Sequence, residues 1–402
     1  MLSLTGSPTD VGITTALQFL PTLLFGLVGG LIADRYSKRS ILRCTQVGMA
    51  VFATTLACLT LTHQVRVWEV YLVAFGLGLV IAVDNPTRQS FVNEMVGPDQ
   101  VRNAVSINSS VFQLGGLIGP AVSGLLLTTV GPGYSFAINA VSYTAPFVTL
   151  SLMRPGELTV MPRVIAQSGQ LRAGLRYAVG HPDVLWPTIL VGVLGMFTAN
   201  LPVTLAAYAR SVFDSGPGGY ALLSAIVAAG SVGGALISAR RRRSRLRTLV
   251  AIGATLAALE LLAGAVPGEV LFWVLLLFIG ACTLLLLTSA NSTVQMAAHD
   301  GIRGRVMGVY LLVFIGGAAI GGPLLGLVDQ HFGPRAGMLL AGGVSAAAIV
   351  AITARLAGAA RPGDNSRRTP HWPGRVSRQK LRTVISAAPP AAPRSQSRAR
   401  SA

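Results

Sequence analysis

Asp34, Arg35, Lys38 and Arg39 follow a stretch of about twenty residues that carries no charge. A lone carboxylate in a knot of cations cleaves no bond by itself. It can hold an electrostatic contact. Two other acids stand inside apolar runs, Asp84 and Glu260. A carboxylate within a membrane is costly and marks proton exchange or a specific partner. Asp84 has Arg88 at i+4 as one such partner. Glu260 has the outer headgroups or a neighbouring side chain. Gly115, Gly119, Pro120 and Gly124 form a third group, small residues around a proline that removes a backbone donor and bends a helix. Gln18, Phe112, Gln113, Phe197 and Asn200 supply amide and aromatic surface suited to an amphiphilic ligand, or to interhelical hydrogen bonds.

Catalytic chemistry is not expected. The histidines, His63, His181, His299, His331 and His371, stand in loops, at span ends or in the tail, and none has a plausible nucleophile partner. Cys44, Cys58 and Cys282 lie in apolar runs without metal-ligand spacing, so they read as packing residues. No phosphate-binding loop of the type G-x-x-x-x-G-K-[ST] occurs. Catalytic residues, metal sites and cofactors are therefore all expected to be none.

The elements that position these groups follow from composition. Only 11% of the chain is charged and 52% is hydrophobic, against about 25% charged in soluble proteins. Mean hydropathy is +0.61, so lipid is the solvent for most of the chain. Eleven stretches are long enough to cross a membrane: 11–32, 41–62, 67–87, 104–130, 132–153, 184–207, 217–239, 248–266, 269–293, 304–328 and 335–357. With the loop at 33–43 inside, loops on that side hold eighteen Lys and Arg and loops on the other side hold three, Arg66, Arg210 and Arg335. This places the basic loops and the C-terminus in the cytoplasm. The net charge of +18 would suggest nucleic acid in a soluble protein. Here it follows the membrane, and the tail suits anionic lipid. The expected domains are residues 1–153, a linker at 154–183, residues 184–357, and a disordered basic tail at 358–402.

The chain also repeats itself at an offset of about 203 residues. GGLIADRYSKRSIL at 29–42 is echoed by GGALISARRRRSRL at 233–246, and NPTRQ at 85–89 by NSTVQ at 291–295. Gly119-Pro120 is echoed by Gly322-Pro323, and GPGYSF at 131–136 by GPRAGM at 333–338. Two homologous halves joined by a polar segment are an architecture of secondary transporters.

Gly30-Leu-Ile-Ala-Asp34-Arg35-Tyr-Ser-Lys38-Arg39 resembles the loop signature of the major facilitator superfamily, with Ser37 where glycine is usual. GGLIGPAVSG at 115–124 resembles the exporter signature of its bacterial drug and siderophore exporters, the enterobactin-exporter-like branch. AAIGGPLLG at 318–326 is a second copy. The resemblance implies an all-α membrane protein of two pseudo-symmetric lobes. It makes Asp34 a latch against the helix that begins near Arg303, with Arg35 and Arg39 as its orienting partners and Gly30 and Lys38 in the same motif. It makes Gly115, Gly119, Pro120 and Gly124 a pliant, close-packed interface helix, and it puts Gln18, Phe112, Gln113, Phe197 and Asn200 on helices that line the cavity. The family's arginine signature on the helix over 67–87 is absent.

The function this implies is export of a small amphiphilic molecule by proton antiport, by a monomer in the bacterial plasma membrane, with Asp84 and Glu260 as coupling candidates. The alternatives are an importer of a small solute, or a truncated protein that does not transport. The family has twelve helices in two sixes, whereas five spans precede the linker here. The counterpart of 184–207 falls before residue 5, so upstream coding sequence is expected to supply one further span.

Overall fold

An apolar run in lipid satisfies its backbone only as a helix or in a closed barrel. These runs are rich in Leu, Ala and Gly, with neither the alternation nor the β-branched bias of strands. The computed structural model describes residues 1–96, 100–158, 170–240, 246–298 and 302–359. Within them the helices are α1 (Leu2–Thr5), α2 (Pro8–Arg35), α3 (Lys38–Leu61), α4 (Val67–Val96), α5 (Val101–Thr129), α6 (Gly131–Ser142) and α7 (Thr144–Leu152). There follow α8 (Gln170–Gly180), α9 (Pro182–Thr198), α10 (Leu201–Ser211), α11 (Gly216–Arg240) and α12 (Leu246–Ala265). The series ends with α13 (Glu269–Ala297), α14 (Arg303–Phe332) and α15 (Pro334–Ala359). No strand occurs among the described residues.

All eleven apolar stretches are helical, and two of them are broken. The stretch 132–153 divides at Tyr143 into α6 and α7. Pro146 has no N–H to offer the carbonyl of Ser142. The stretch 184–207 divides at Ala199-Asn200 into α9 and α10, where Pro202 leaves the Thr198 carbonyl unserved in the same way. The linker region contains a helix, α8, that docks on the second half: Tyr177 Oη donates to the Ala297 carbonyl at 3.3 Å. A Cβ on Gly174 would lie 2.7 Å from the Arg305 carbonyl oxygen.

The repeat is visible in the helices. Shifted by about 203 residues, α2 falls on α11, α3 on α12, α4 on α13, α5 on α14, and α6–α7 on α15. Among the described residues, α9–α10 has no counterpart in the first half. Within each half the same helix pair crosses through glycine. A Cβ on Gly29 would collide with the Ala82 carbonyl where α2 crosses α4. One on Gly234 would collide with the Ala281 carbonyl where α11 crosses α13. Small residues let backbones meet where lipid supplies no hydrophobic drive. The chain divides into one compact unit, Met1–Arg355, and a second, Leu356–Ala402, of which the end of α15 is described. The rest of the predicted tail lies outside the described residues.

Candidate functional site

The basic loop comes first. Asp34 stands in the last turn of α2, and its side chain lies outside the described residues. Arg35 is exposed. Lys38 forms an ion pair with Glu94 of α4. Arg39 donates from Nε to the Leu150 carbonyl at 2.6 Å and from Nη2 to the Ser151 carbonyl at 2.7 Å. The resemblance gave Arg39 to Asp34. The structure corrects this: its guanidinium serves the open carbonyls at the end of α7. Ser37, the departure from the motif, has φ −59°, so this turn needs no glycine. No described atom lies within 4 Å of a Cβ position at Gly30. The close approach belongs to its neighbour Gly29, which motif spacing did not single out.

The two halves meet through helices related by the repeat, α2 with α14 and α5 with α11. At the end where α2 begins and α14 finishes, called the far end here, Ser7 Oγ donates to Gln330 Oε1 at 2.8 Å. Thr9 Oγ1 donates to the Gly326 carbonyl at 3.1 Å. Cβ atoms on Gly322 and Gly326 would each lie 2.7 Å from a carbonyl oxygen of α2, that of Gly12 and that of Pro8. The α5–α11 contact lies at the same end, with the Gly124 Cβ position 3.3 Å from Ala221 Cα. Toward the basic end the pattern changes. Around Gly26 and Gly30 of α2, and Gly304 and Gly308 of α14, no described atom lies within 4 Å of the Cβ position. The helices touch at one end, and at the other their glycines meet no described atom.

The exporter-like motif needs a correction on this point. Gly115 and Gly119 have no described atom within 4 Å of their Cβ positions, so among the described residues only Gly124 of its glycines packs against another helix. The side chain of Pro120 lies outside the described residues. The second copy is the close-packed one. Gly317 and Gly321 meet the α9 backbone at Gly192 and Met196, while Gly322 and Gly326 meet α2. The difference follows from the repeat: α9 covers one face of α14, and no described helix covers the equivalent face of α5.

The buried acids differ in their surroundings. Asp84 accepts hydrogen bonds from Thr45 Oγ1 at 2.7 Å and Gln46 Nε2 at 3.3 Å, and pairs with Arg88. Glu260 of α12 is buried beside Ser345 of α15, and its Oε2 has no hydrogen-bond partner among the described residues. Asp329, near the end of α14, was missed in the sequence. It is buried too, and neither carboxyl oxygen has a partner among the described residues. It falls one residue past the predicted span 304–328, which gave it the look of a loop residue.

The three amide and aromatic candidates whose side chains are described, Gln18, Phe197 and Asn200, do not form one surface. Gln18 is exposed on α2. Phe197 is 2% exposed among Leu325 and Ala341, so it belongs to the core of the second half and lines no open space here. Asn200 is fully buried at the α9–α10 break, and its Nδ2 donates to the Met196 and Ala318 carbonyls at 2.8 Å each. The side chains of Phe112 and Gln113 lie outside the described residues.

Two repeated helical halves meeting along glycine-rich helices define a membrane transporter of the major facilitator fold. Among the described residues, eight helical segments, with α9–α10 counted as one, are long and apolar enough to cross a membrane. The transmembrane secretion effector family model matches residues 1–383, and the chain belongs to that family. Among curated relatives it is 24% identical over 337 residues to Enterobactin exporter EntS of Shigella flexneri, covering 83% of this chain and 80% of the relative. It is 24% identical over 338 residues, with the same coverage, to the protein of that name in Escherichia coli O1:K1. Among solved structures, a D-xylose-proton symporter superposes with a TM-score of 0.68 at 14% identity, covering 86% of this chain and 87% of that one. The nucleoside transporter NupG gives 0.65 at 16% identity, covering 87% and 91%. These two likenesses establish the fold. The chain is thus a multi-pass membrane protein and a secondary transporter, not an enzyme.

Proposed function

We propose that the protein exports a small amphiphilic molecule of the drug or siderophore class across the bacterial plasma membrane, by alternating access and proton antiport. The observation that carries the reading is the asymmetry of the seam, with backbone contact at Gly12–Gly322 and Pro8–Gly326 and no described atom within 4 Å of the Cβ positions at Gly26, Gly30, Gly304 and Gly308. The cation count supports putting the basic end in the cytoplasm, which makes this the conformation closed to the outside. Asp34 is the latch of the opposite conformation, drawn to the N-terminal end of α14 when the basic ends approach. Family membership and the name of the relatives support the direction and the substrate class. The protein works as a monomer, with its basic tail against anionic lipid.

Everted membrane vesicles containing the full chain, with an acidic lumen, test this with enterobactin as probe. The lumen should accumulate the probe, and a protonophore should abolish accumulation. Accumulation that needs ATP and ignores the protonophore contradicts the reading, as does uptake in the reverse direction only.

A further inference from the structure

Asp329 is a buried acid on α14, the helix that carries the seam. Its neighbours along α14, Gly326 and Gln330, are the residues that bond to α2 at the far end. One step round the helix, Asp329 turns away from α2, toward α10 and α15. It is 4% exposed, and both Oδ atoms lack a hydrogen-bond partner among the described residues. The Thr204 hydroxyl of α10 faces the carboxyl without forming a bond of ordinary geometry. On α15 the facing position is Gly337, where a Cβ would collide with Oδ1. That position fits glycine because the carboxyl fills the space a side chain would take.

The surrounding groups narrow what the carboxyl can hold. From α10 the titratable neighbour is Tyr208, which lies in the field of both Asp329 and Arg335. The Tyr208 hydroxyl is directed to the Ala263 carbonyl of α12 at 3.4 Å. From α15 the charged residue is Arg335, which is exposed. On α14 itself the next groups are Gln330, engaged with Ser7, and exposed His331. On α2 the acid is Asp10, which accepts from Tyr71 Oη at 2.8 Å. Asp84 shows how this chain holds a buried charge, with two hydrogen-bond donors and an arginine. Asp329 has no comparable set. A proton is the ligand that suits such a site, because the acid form carries no net charge into it.

We propose that Asp329 is a proton-binding site of the transport cycle, loaded from the far-side solution as the halves close there. The step is a simple transfer: a proton from far-side water joins an Asp329 carboxylate oxygen as that end closes, and returns to far-side water as it opens, so this proton gates the seam and is separate from the one exchanged for substrate. The inference rests on the alternating-access reading and deepens it.

Spin labels on cysteines replacing Trp68 and Val270, which are exposed at the far-end starts of α4 and α13, read the separation of the halves. The full chain, with Cys44, Cys58 and Cys282 changed to Ser, is placed in lipid nanodiscs. Two distance populations are expected. The closed-to-open ratio should fall as pH rises from about 5 to about 8, at most about tenfold per pH unit for one proton. Asp329→Asn should stay closed across that range, and Asp329→Glu should keep a pH response, which separates loss of the proton from loss of the fold. Two populations whose ratio ignores pH, or an equal pH response in Asp329→Asn, overturn the proposal alone. A single population at every pH overturns it together with the alternating-access reading.

Discussion

Asp34 and Asp84 look alike in the sequence, each an acid near the end of an apolar run with an arginine close by. The structure separates them. Asp84 is tied within the first half to Thr45, Gln46 and Arg88, an arrangement that joins α3 to α4. Two cations of its loop are occupied elsewhere, Arg39 on α7 and Lys38 on Glu94, while Arg35 is exposed. The partner proposed for the Asp34 latch is the N-terminal end of α14. Asp34→Asn removes the charge and alters no span. A carboxylate at a helix N-terminus is worth about 0.3–2 kcal/mol, so export should slow by roughly twofold to thirtyfold at unchanged protein abundance. Efflux at the parental rate from equal amounts of protein would eliminate the latch. The charges of this loop were legible because they interrupt an apolar run. Asp329 was not, because its role depends on what packs against it. Only the fold brings Thr204 and Gly337 to its side.

At the scale of helices, lipid dictates apolar runs, so the spans could be read directly from composition. Their breaks at Tyr143 and Asn200 had a visible signal in Pro146 and Pro202, three and two residues on. The glycines were harder. A glycine marks a possible close approach, but the partner helix decides whether it is used. Gly119 and Gly322 occupy equivalent places in the repeat, yet only Gly322 is clamped, between the Gly12 carbonyl oxygen at 2.7 Å and Asn200 Oδ1 at 3.0 Å from its Cβ position. A leucine at 322 therefore forces α2 and α14 apart, at a cost of about 1–3 kcal/mol for overpacking. Gly322→Leu should lower the population closed at the far end by roughly fivefold to a hundredfold, read from the same pair of spin labels. Gly119→Leu should leave that population nearly unchanged in this conformation. The reverse order would show that the first copy of the motif, not the second, carries the seam.

At the scale of the whole molecule, the repeat was legible as four echoes in the same order, and it became a spatial relation. Helix α2 meets α14, and its repeat α11 meets α5, the repeat of α14. Such symmetry gives two halves that can rock about a shared seam. The conformation was not legible, since sequence patterns are the same whichever end is closed. Transport requires that the far end open. Cysteines replacing Ser7 and Gln330, whose side chains meet at 2.8 Å, can lock it in the chain freed of its own three cysteines. In everted vesicles with enterobactin as probe, oxidising this pair should stop accumulation, and a reductant should restore it. Undiminished accumulation with the cross-link complete would contradict alternating access through this seam.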